Sequence, residues 1–239
     1  MPPLDADARQ PAGGVNLGVI DTWIFDLDNT LYSPRCDLFG QIDVRMKAYI
    51  ARLLDIPPAD ARVIQKRYFH DHGTTLRGLM DRHHVDPAHF LDFVHDIDLS
   101  VLRVDSALTQ SLARLPGRRL VFTNGDAPYA RRVLDALGLS GLFEDIHDIY
   151  ATQFVPKPSA SAYSTLLERF GIDPARALFV EDMARNLAPA KALGMTTVWI
   201  NNGSEKGADD AHPDFIDLEI DDVAHWLQSV TGKFAGEPQ

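Results

Sequence analysis

Short apolar segments rich in β-branched and aromatic residues alternate along the chain with stretches of helical periodicity. The apolar segments, which we interpret as strands, are 19–27, 119–123, 146–151, 177–180 and 196–200. Between them apolar residues recur at helical spacing, and Gly138, Gly171 and Gly194 stand where helices would end. Because alternating strands and helices favour a parallel sheet covered on both faces, the pattern predicts an α/β fold with a doubly wound parallel sheet.

One connection is much longer than the others. From about Thr30 to about Arg118 no segment has the composition of a strand, whereas Leu38, Ile42 and Met46 recur at helical spacing. The segment is therefore interpreted as a helical insert. It leaves the sheet at the carboxyl end of the first strand, where ligands bind in such sheets, so we expect an all-helical cap above the site.

These patterns divide the chain into a core and an insert. We assign residues 19–33 and 104–231 to the core and residues 34–103 to the helical cap. Residues 1–18 and 232–239 are rich in glycine, proline and small or polar residues, so they are predicted to be disordered tails.

Charge and composition narrow the range of partners. The 239 residues include 34 acidic and 23 basic ones, giving a formal net charge of −11, which disfavours nucleic acid polymers and anionic membranes. No apolar run approaches the roughly 20 residues of a membrane span, and the first residues lack the pattern of a signal peptide. The single cysteine, Cys36, cannot form an intramolecular disulfide, so a cytoplasmic location is expected.

Polar residues that carry chemistry follow four of the predicted strands. They are Asp26, Asp28, Thr123, Asn124, Gly125, Lys157, Glu181, Asp182 and Asn186. Converging carboxylates repel one another by about 4 kcal/mol per pair at 4 Å and an effective dielectric of 20, so a cation is required among them. Oxygen ligands without a His or Cys cluster suit Mg²⁺, which often completes its shell with a phosphate oxygen.

The remaining residue types fit a phosphoryl group. Lys157 would supply a second positive charge. The Thr123 hydroxyl and the backbone N–H groups of Asn124 and Gly125 would donate hydrogen bonds at a strand-to-helix turn. The residues therefore indicate phosphoryl transfer on a small-molecule phosphomonoester.

The order of these residues resembles the motifs of the haloacid dehalogenase superfamily of phosphohydrolases. The matching motifs are Asp26-x-Asp28-x-Thr30, Thr123 at a strand end, Lys157, and Glu181-Asp182. A finer resemblance, to the pyrimidine 5′-nucleotidase branch, is carried by segments 32–46, 73–79, 95–97, 122–126 and 186–191. The resemblance implies a Rossmann-like core with a cap, dependence on Mg²⁺, and hydrolysis of pyrimidine nucleoside 5′-monophosphates.

The resemblance also implies a two-step reaction. Asp26 attacks phosphorus to form an aspartyl phosphate, while Asp28 protonates the departing oxygen and later takes a proton from water. Asp26, Asp182 and the backbone carbonyl of Asp28 would hold the metal. Glu181 is predicted to hold a metal-bound water, and Asn186 to orient Lys157 or Asp182.

In the cap, Thr74, Thr75, Arg77 and Arg45 are candidate substrate contacts, the first three because two glycines and an arginine interrupt the helical pattern around them. A phosphatase for phosphoglycolate or sugar phosphates, or a phosphomutase, would share the core residues. A metal-free haloacid dehalogenase needs neither Asp28 nor Asp182, and a phospho-receiver module needs no long cap. The sequence leaves monomer and homodimer open.

Overall fold

A computed structural model describes residues 15–235, and their side chains as far as residue 232. Six parallel strands form one sheet in the order β3-β2-β1-β4-β5-β6. The strands are β1 (Thr22–Phe25), β2 (Arg118–Phe122), β3 (Asp145–His147), β4 (Ala177–Glu181), β5 (Thr196–Ile200) and β6 (Leu218–Ile220). The predicted doubly wound α/β class is confirmed, and the strand order reverses beside β1, which opens a crevice at the carboxyl ends.

Helices fill the connections between the strands. They are α1 (Leu38–Leu54), α2 (Pro58–His72), α3 (Thr75–His83), α4 (Pro87–Val94), α5 (Ser106–Arg114), α6 (Ala127–Ala136), α7 (Ala160–Phe170), α8 (Leu187–Ala192) and α9 (Val223–Ala235). The first four, which we call the cap helices, lie between β1 and β2, where the periodicity predicts helices. The exact limits of a cap at 34 and 103 stay a prediction. None of the described helices combines the length and hydrophobicity that a membrane crossing needs.

The central strand β1 shows why this sequence forms a sheet covered on both sides. All four of its residues are buried. Trp23 and Phe25 pack into one hydrophobic cluster, whereas Ile24 packs into a second cluster on the opposite face. Successive side chains of a strand point to opposite faces, so an unbroken apolar run fits a sheet that helices cover on both sides.

Two strand predictions need correction. Residues 146–151 do not form one long strand: β3 ends at His147, because the Asp148 side chain accepts hydrogen bonds from the backbone N–H groups of Ala127 and Ala151 and stabilises a turn. The edge strand β6 was not predicted, since its three residues are too few for a periodic pattern.

The predicted tails also differ from the described structure. Residues 17–19 form a 3₁₀ turn, and α9 continues to Ala235, so the predicted boundary at 232 lies inside a helix. The apolar face of α9, which includes Leu227 and Val230, is buried against the core. Residues 1–14 and 236–239 lie outside the described residues.

A buried histidine gives the fold a predicted acid sensitivity. His147 packs against the rings of Phe122 and Phe170, shares a 3.1 Å hydrogen bond with Thr165, and has its pKa lowered by burial to about 4. The unfolded chain protonates this histidine near pH 6.5. The contribution of this histidine to the free energy of unfolding is therefore fully present above that pH and is lost as the pH falls toward 4.

We expect His147→Phe to flatten this loss, because phenylalanine fits the aromatic surroundings and does not titrate. Denaturant unfolding from pH 7 to pH 4 would measure the slope of the unfolding free energy, which the variant should lower by up to about 1.4 kcal/mol per pH unit. Equal slopes for the two proteins would contradict the prediction.

Candidate active site

The carboxyl ends of the strands and the cap helices enclose a cavity of about 190 Å³. All nine core residues predicted from the sequence line this cavity. They come from four separate strand ends, and the parallel order of the sheet brings these ends to one edge. The structure therefore gathers the predicted core residues at a single place.

Lys157 lies at the centre of a buried ion-pair network. Its Nζ donates to Asp26 at 2.7 Å, to Glu181 at 2.8 Å and to the backbone carbonyl of Phe122 at 2.8 Å. The side chain of Asn124 fixes the Lys157 backbone, accepting a hydrogen bond from its N–H at 2.8 Å and donating to its carbonyl at 3.3 Å. Because the lysine is only 1% exposed, the packing around it holds its side chain toward Asp26.

Asp26 is held on both of its oxygens. Oδ1 faces Lys157, and Oδ2 accepts a 3.1 Å hydrogen bond from the hydroxyl of Thr30. The backbone N–H of Asp26 continues the ladder to Val180, which places the carboxylate directly at the end of β1. Such a fixed, buried carboxylate suits a nucleophile, since little reorganisation is needed before attack.

The site contains more acidic than basic side chains. Burial and the neighbouring Glu181 raise the pKa of Asp26 to about 7, against the opposing effect of Lys157. Burial, together with Glu181 and Asp26, raises the pKa of Asp182 well above its usual range. Although burial opposes it, the two carboxylates raise the pKa of Lys157, which keeps the lysine positively charged.

The carboxylates fit a hard divalent cation. Asp26, Glu181 and Asp182 each offer an oxygen within 4.8 Å of the others, and all three residues are buried. Oxygen donors without His or Cys are the set that Mg²⁺ prefers. Both oxygens of Glu181 accept hydrogen bonds, from Lys157 and from the backbone N–H of Met183, and both oxygens of Asp26 accept them from Lys157 and Thr30.

Asp28 has very different neighbours from Asp26. Its Oδ1 accepts hydrogen bonds from the hydroxyls of Tyr32 at 2.6 Å and Tyr129 at 2.7 Å. Neither tyrosine was predicted to belong to the site. Tyr32 follows Asp28 by only four residues, and this short spacing could have indicated a contact between them. Tyr129 lies on α6, far from Asp28 in sequence, and only the tertiary fold brings the two together.

Two predicted roles in the core differ from the contacts observed. The N–H of Gly125 donates to the Thr123 hydroxyl at 3.0 Å, so this donor is already occupied. Asn186 lies in a 3₁₀ turn, and within the described residues its side chain makes no hydrogen bond to Lys157 or Asp182; its buried Oδ1 has no hydrogen-bond partner in residues 15–232. Glu181 and the Phe122 carbonyl orient the lysine instead.

Of the predicted cap contacts, the two threonines line the cavity. Their hydroxyls are engaged, however. Thr74 caps α3 by accepting from the backbone N–H of Arg77 at 3.1 Å, and Thr75 donates to the backbone carbonyl of Gln65 at 3.3 Å. Both residues therefore shape the cavity wall while their polar atoms hold the cap together.

The two arginines lie outside the cavity lining. Arg77 pairs with Asp81 one turn along α3, at 3.1 Å, and lines a separate groove. Arg45 donates to the backbone carbonyl of Phe93 at 2.7 Å and to Asp96 at 2.9 Å. Each guanidinium donates to acceptors within the cap, so neither is directed at the core residues.

An apolar wall, which the sequence analysis did not single out, faces the charged floor of the cavity. It consists of Phe39, Ile42, Met46, Phe69, Leu76, Phe90, Leu91 and Val94. Periodicity identifies such residues as buried but does not tell a cavity wall from a packed interior. The cavity thus combines a charged floor with a mostly apolar roof, to which Asp43, Gln65 and Lys66 of the cap helices add polar side chains.

Two curated relatives are each about one-quarter identical to this chain in sequence. The chain is 25% identical over 191 residues to phosphate metabolism protein 8 of Saccharomyces cerevisiae, covering 72% of this chain and 59% of that protein. It is 27% identical over 205 residues to glyceraldehyde 3-phosphate phosphatase of Methanocaldococcus jannaschii, covering 78% and 87%. The chain therefore spans only 59% of the length of the yeast relative.

Solved structures share the fold. A HAD phosphatase from Thermococcus onnurineus superposes with a TM-score of 0.60 at 22% identity, covering 89% of this chain and 98% of that chain. The L-2-haloacid dehalogenase of Xanthobacter autotrophicus, with chloropropionic acid covalently bound, gives a TM-score of 0.55 at 17% identity, covering 92% and 100%. A family model for haloacid dehalogenase-like hydrolases matches residues 20–194, and the chain therefore belongs to the haloacid dehalogenase-like hydrolases.

Proposed function

We propose that the protein is a metal-dependent phosphomonoester hydrolase that works through an aspartyl phosphate. The observation that carries this proposal is the contrast between two neighbouring carboxylates. Asp26 is paired with a buried lysine, whereas Asp28 is held by two tyrosine hydroxyls. Two carboxylates in different environments are suited to different roles, here nucleophile and proton carrier.

The first step forms a bond between a carboxylate oxygen of Asp26 and phosphorus. The bond from phosphorus to the ester oxygen breaks, and Asp28 supplies the proton that the departing oxygen takes up. In the second step water attacks phosphorus, Asp28 accepts its proton, and phosphate leaves Asp26. Lys157 offsets negative charge on the phosphoryl oxygens throughout.

Asp26, Asp182 and the backbone carbonyl of Asp28 would hold the metal, for which we propose Mg²⁺. When bound, the ion offsets charge on the phosphoryl group and orients it for in-line attack. The set of three buried carboxyl groups, all of them oxygen donors, supports this choice.

As substrates we propose pyrimidine nucleoside 5′-monophosphates. Support comes from the resemblance of the cap segments and from the apolar roof, which suits a planar base better than a polyhydroxylated sugar. The cap helices that line the cavity also limit the space for the base, which favours one ring over two. The M. jannaschii relative, named a glyceraldehyde 3-phosphate phosphatase, keeps small sugar phosphates as the second candidate class.

Phosphate release across a substrate panel tests these proposals. We expect UMP or CMP to exceed AMP and GMP by about 5- to 160-fold in kcat/KM, since overpacking costs about 1–3 kcal/mol. The panel also includes glyceraldehyde 3-phosphate and phosphoglycolate. A higher value for either of these, or for AMP, would reject the pyrimidine assignment, and release from none of the substrates would reject the phosphatase.

Metal removal is a separate prediction. A chelator should abolish phosphate release, because buried carboxylates without a cation repel a phosphate dianion. Mg²⁺ should restore activity, Mn²⁺ should restore part of it, and Ca²⁺ should inhibit because its larger, looser shell misplaces the reacting groups. Full turnover in excess chelator would show that the carboxylate cluster does not act through a metal.

A further inference from the structure

The carboxylate of Asp28 is anchored on one side only. Its Oδ1 accepts both tyrosine hydroxyls, at 2.6 Å from Tyr32 and 2.7 Å from Tyr129. Its Oδ2 accepts no hydrogen bond from residues 15–232 of the described chain, and Asp28 lines the cavity. The two oxygens of this carboxylate therefore have distinct surroundings.

The two hydroxyls reach Oδ1 from separate parts of the fold. Tyr32 follows β1, and Tyr129 lies on α6, which follows β2. Both side chains are buried, at 8% and 1% exposure. The fold therefore fixes both hydroxyls that donate to Oδ1 of Asp28.

Tyr129 is itself held in place by a residue of the cap segment. The His95 ring, which follows α4, stacks on the Tyr129 ring with centroids 4.1 Å apart and planes 11° from parallel. His95 Nδ1 lies 3.0 Å from Asp126 Oδ2, and the other oxygen of Asp126 accepts the Tyr129 backbone N–H at 2.7 Å. His95 and Asp126 thus fix the ring and the backbone of Tyr129 together.

We propose that Tyr32 and Tyr129 are positioning residues that hold Oδ1 of Asp28 and leave Oδ2 free for the ester oxygen, and that His95 ties this arrangement to the cap. This inference rests on the proposed hydrolysis of phosphomonoesters. The tyrosines keep their protons throughout, and the proton that moves passes between Asp28 and the departing oxygen. A carboxylate fixed in this way needs little reorganisation when the ester bond breaks.

Such a role predicts a dependence on the leaving group. An alcohol leaves as a strongly basic oxygen and needs the proton, whereas p-nitrophenol leaves readily without it. Loss of a tyrosine hydroxyl should therefore slow the first step with an alkyl phosphate much more than with p-nitrophenyl phosphate. A purely structural defect would slow both substrates alike.

The test compares kcat/KM for UMP and for p-nitrophenyl phosphate in Tyr32→Phe and Tyr129→Phe. We expect a loss of about 10- to 100-fold for UMP, the range of a hydrogen bond to a charged group, and little change for p-nitrophenyl phosphate. Tyr49→Phe is the matched control: this buried cap tyrosine shares its hydroxyl with His89 at 2.9 Å and does not line the cavity. Its ratio of the two rates should equal that of the wild type.

Two variants of His95 extend the test to the cap. His95→Phe keeps a ring over Tyr129, whereas His95→Ala removes it, so the alanine variant should show the larger selective loss for UMP. Equal losses for the two substrates in both tyrosine variants, or no loss in either, would overturn the positioning role. If one tyrosine variant does not fold, the other still decides the outcome. A wild-type protein that hydrolyses neither substrate would instead reject the proposed function itself.

Discussion

Replacement of Asp26 by Asn is expected to abolish phosphate release while leaving the fold intact. The amide has the volume of the carboxylate but cannot form the acyl phosphate, so turnover should fall by more than about 10³-fold. The fold should tolerate the change, because Lys157 keeps Glu181 and the Phe122 carbonyl as partners. Replacing Asp26 also removes a repulsion within the buried carboxylate cluster.

Phosphate release and thermal unfolding of the same preparation measure the two effects separately. Asp145→Asn is the matched control, since Asp145 is a partly exposed carboxylate on β3 that pairs with Arg169 at 2.7 Å, away from the cavity. This control should keep its turnover. Undiminished turnover in Asp26→Asn would remove Asp26 from the role of nucleophile.

The core of the site was predictable because it depends on topology alone. Once the alternation of strands and helices indicates a parallel sheet, residues at the strand ends must share one edge. Asp26, Lys157 and Asp182, although far apart in sequence, therefore meet in the cavity as expected. Their convergence could be predicted without knowing the direction of any side chain.

The cap was less predictable because its contacts depend on side-chain direction. Arg77 has an acceptor one helical turn away in Asp81, and Arg45 reaches Asp96 across the cap. These local ion pairs decide where the guanidinium groups lie, and the sequence pattern does not reveal them. The stack of His95 on Tyr129 likewise joins residues from separate elements, so spacing along the chain gives no sign of it.

The fold alone does not choose between dehalogenation and phosphoryl transfer. The chain superposes on a haloacid dehalogenase about as well as on a phosphatase, with TM-scores of 0.55 and 0.60. The residues at the strand ends distinguish these two reactions better than the fold does. The proposed phosphoryl transfer uses Asp28 as proton carrier and Asp182 as metal ligand, so these two carboxylates favour it over metal-free displacement of halide.

Asp28→Asn is expected to separate the two steps of the reaction. The amide can still accept the tyrosine hydroxyls, but it can neither donate a carboxylic proton to the departing oxygen nor take one from water. Turnover of UMP should fall by roughly 10² to 10⁴, the usual contribution of general acid–base catalysis. The nucleophile remains intact, so p-nitrophenyl phosphate should still phosphorylate Asp26.

Because hydrolysis of that intermediate also needs Asp28 as a base, the phosphorylated protein should accumulate. Mass spectrometry after rapid acid quenching would detect it in Asp28→Asn and not in Asp26→Asn. Wild-type rates with UMP in Asp28→Asn would exclude Asp28 as the proton carrier. If Asp28→Asn is slow but carries no phosphate, then Asp28 is needed before the covalent step for every leaving group, and the division of roles between the two aspartates is wrong.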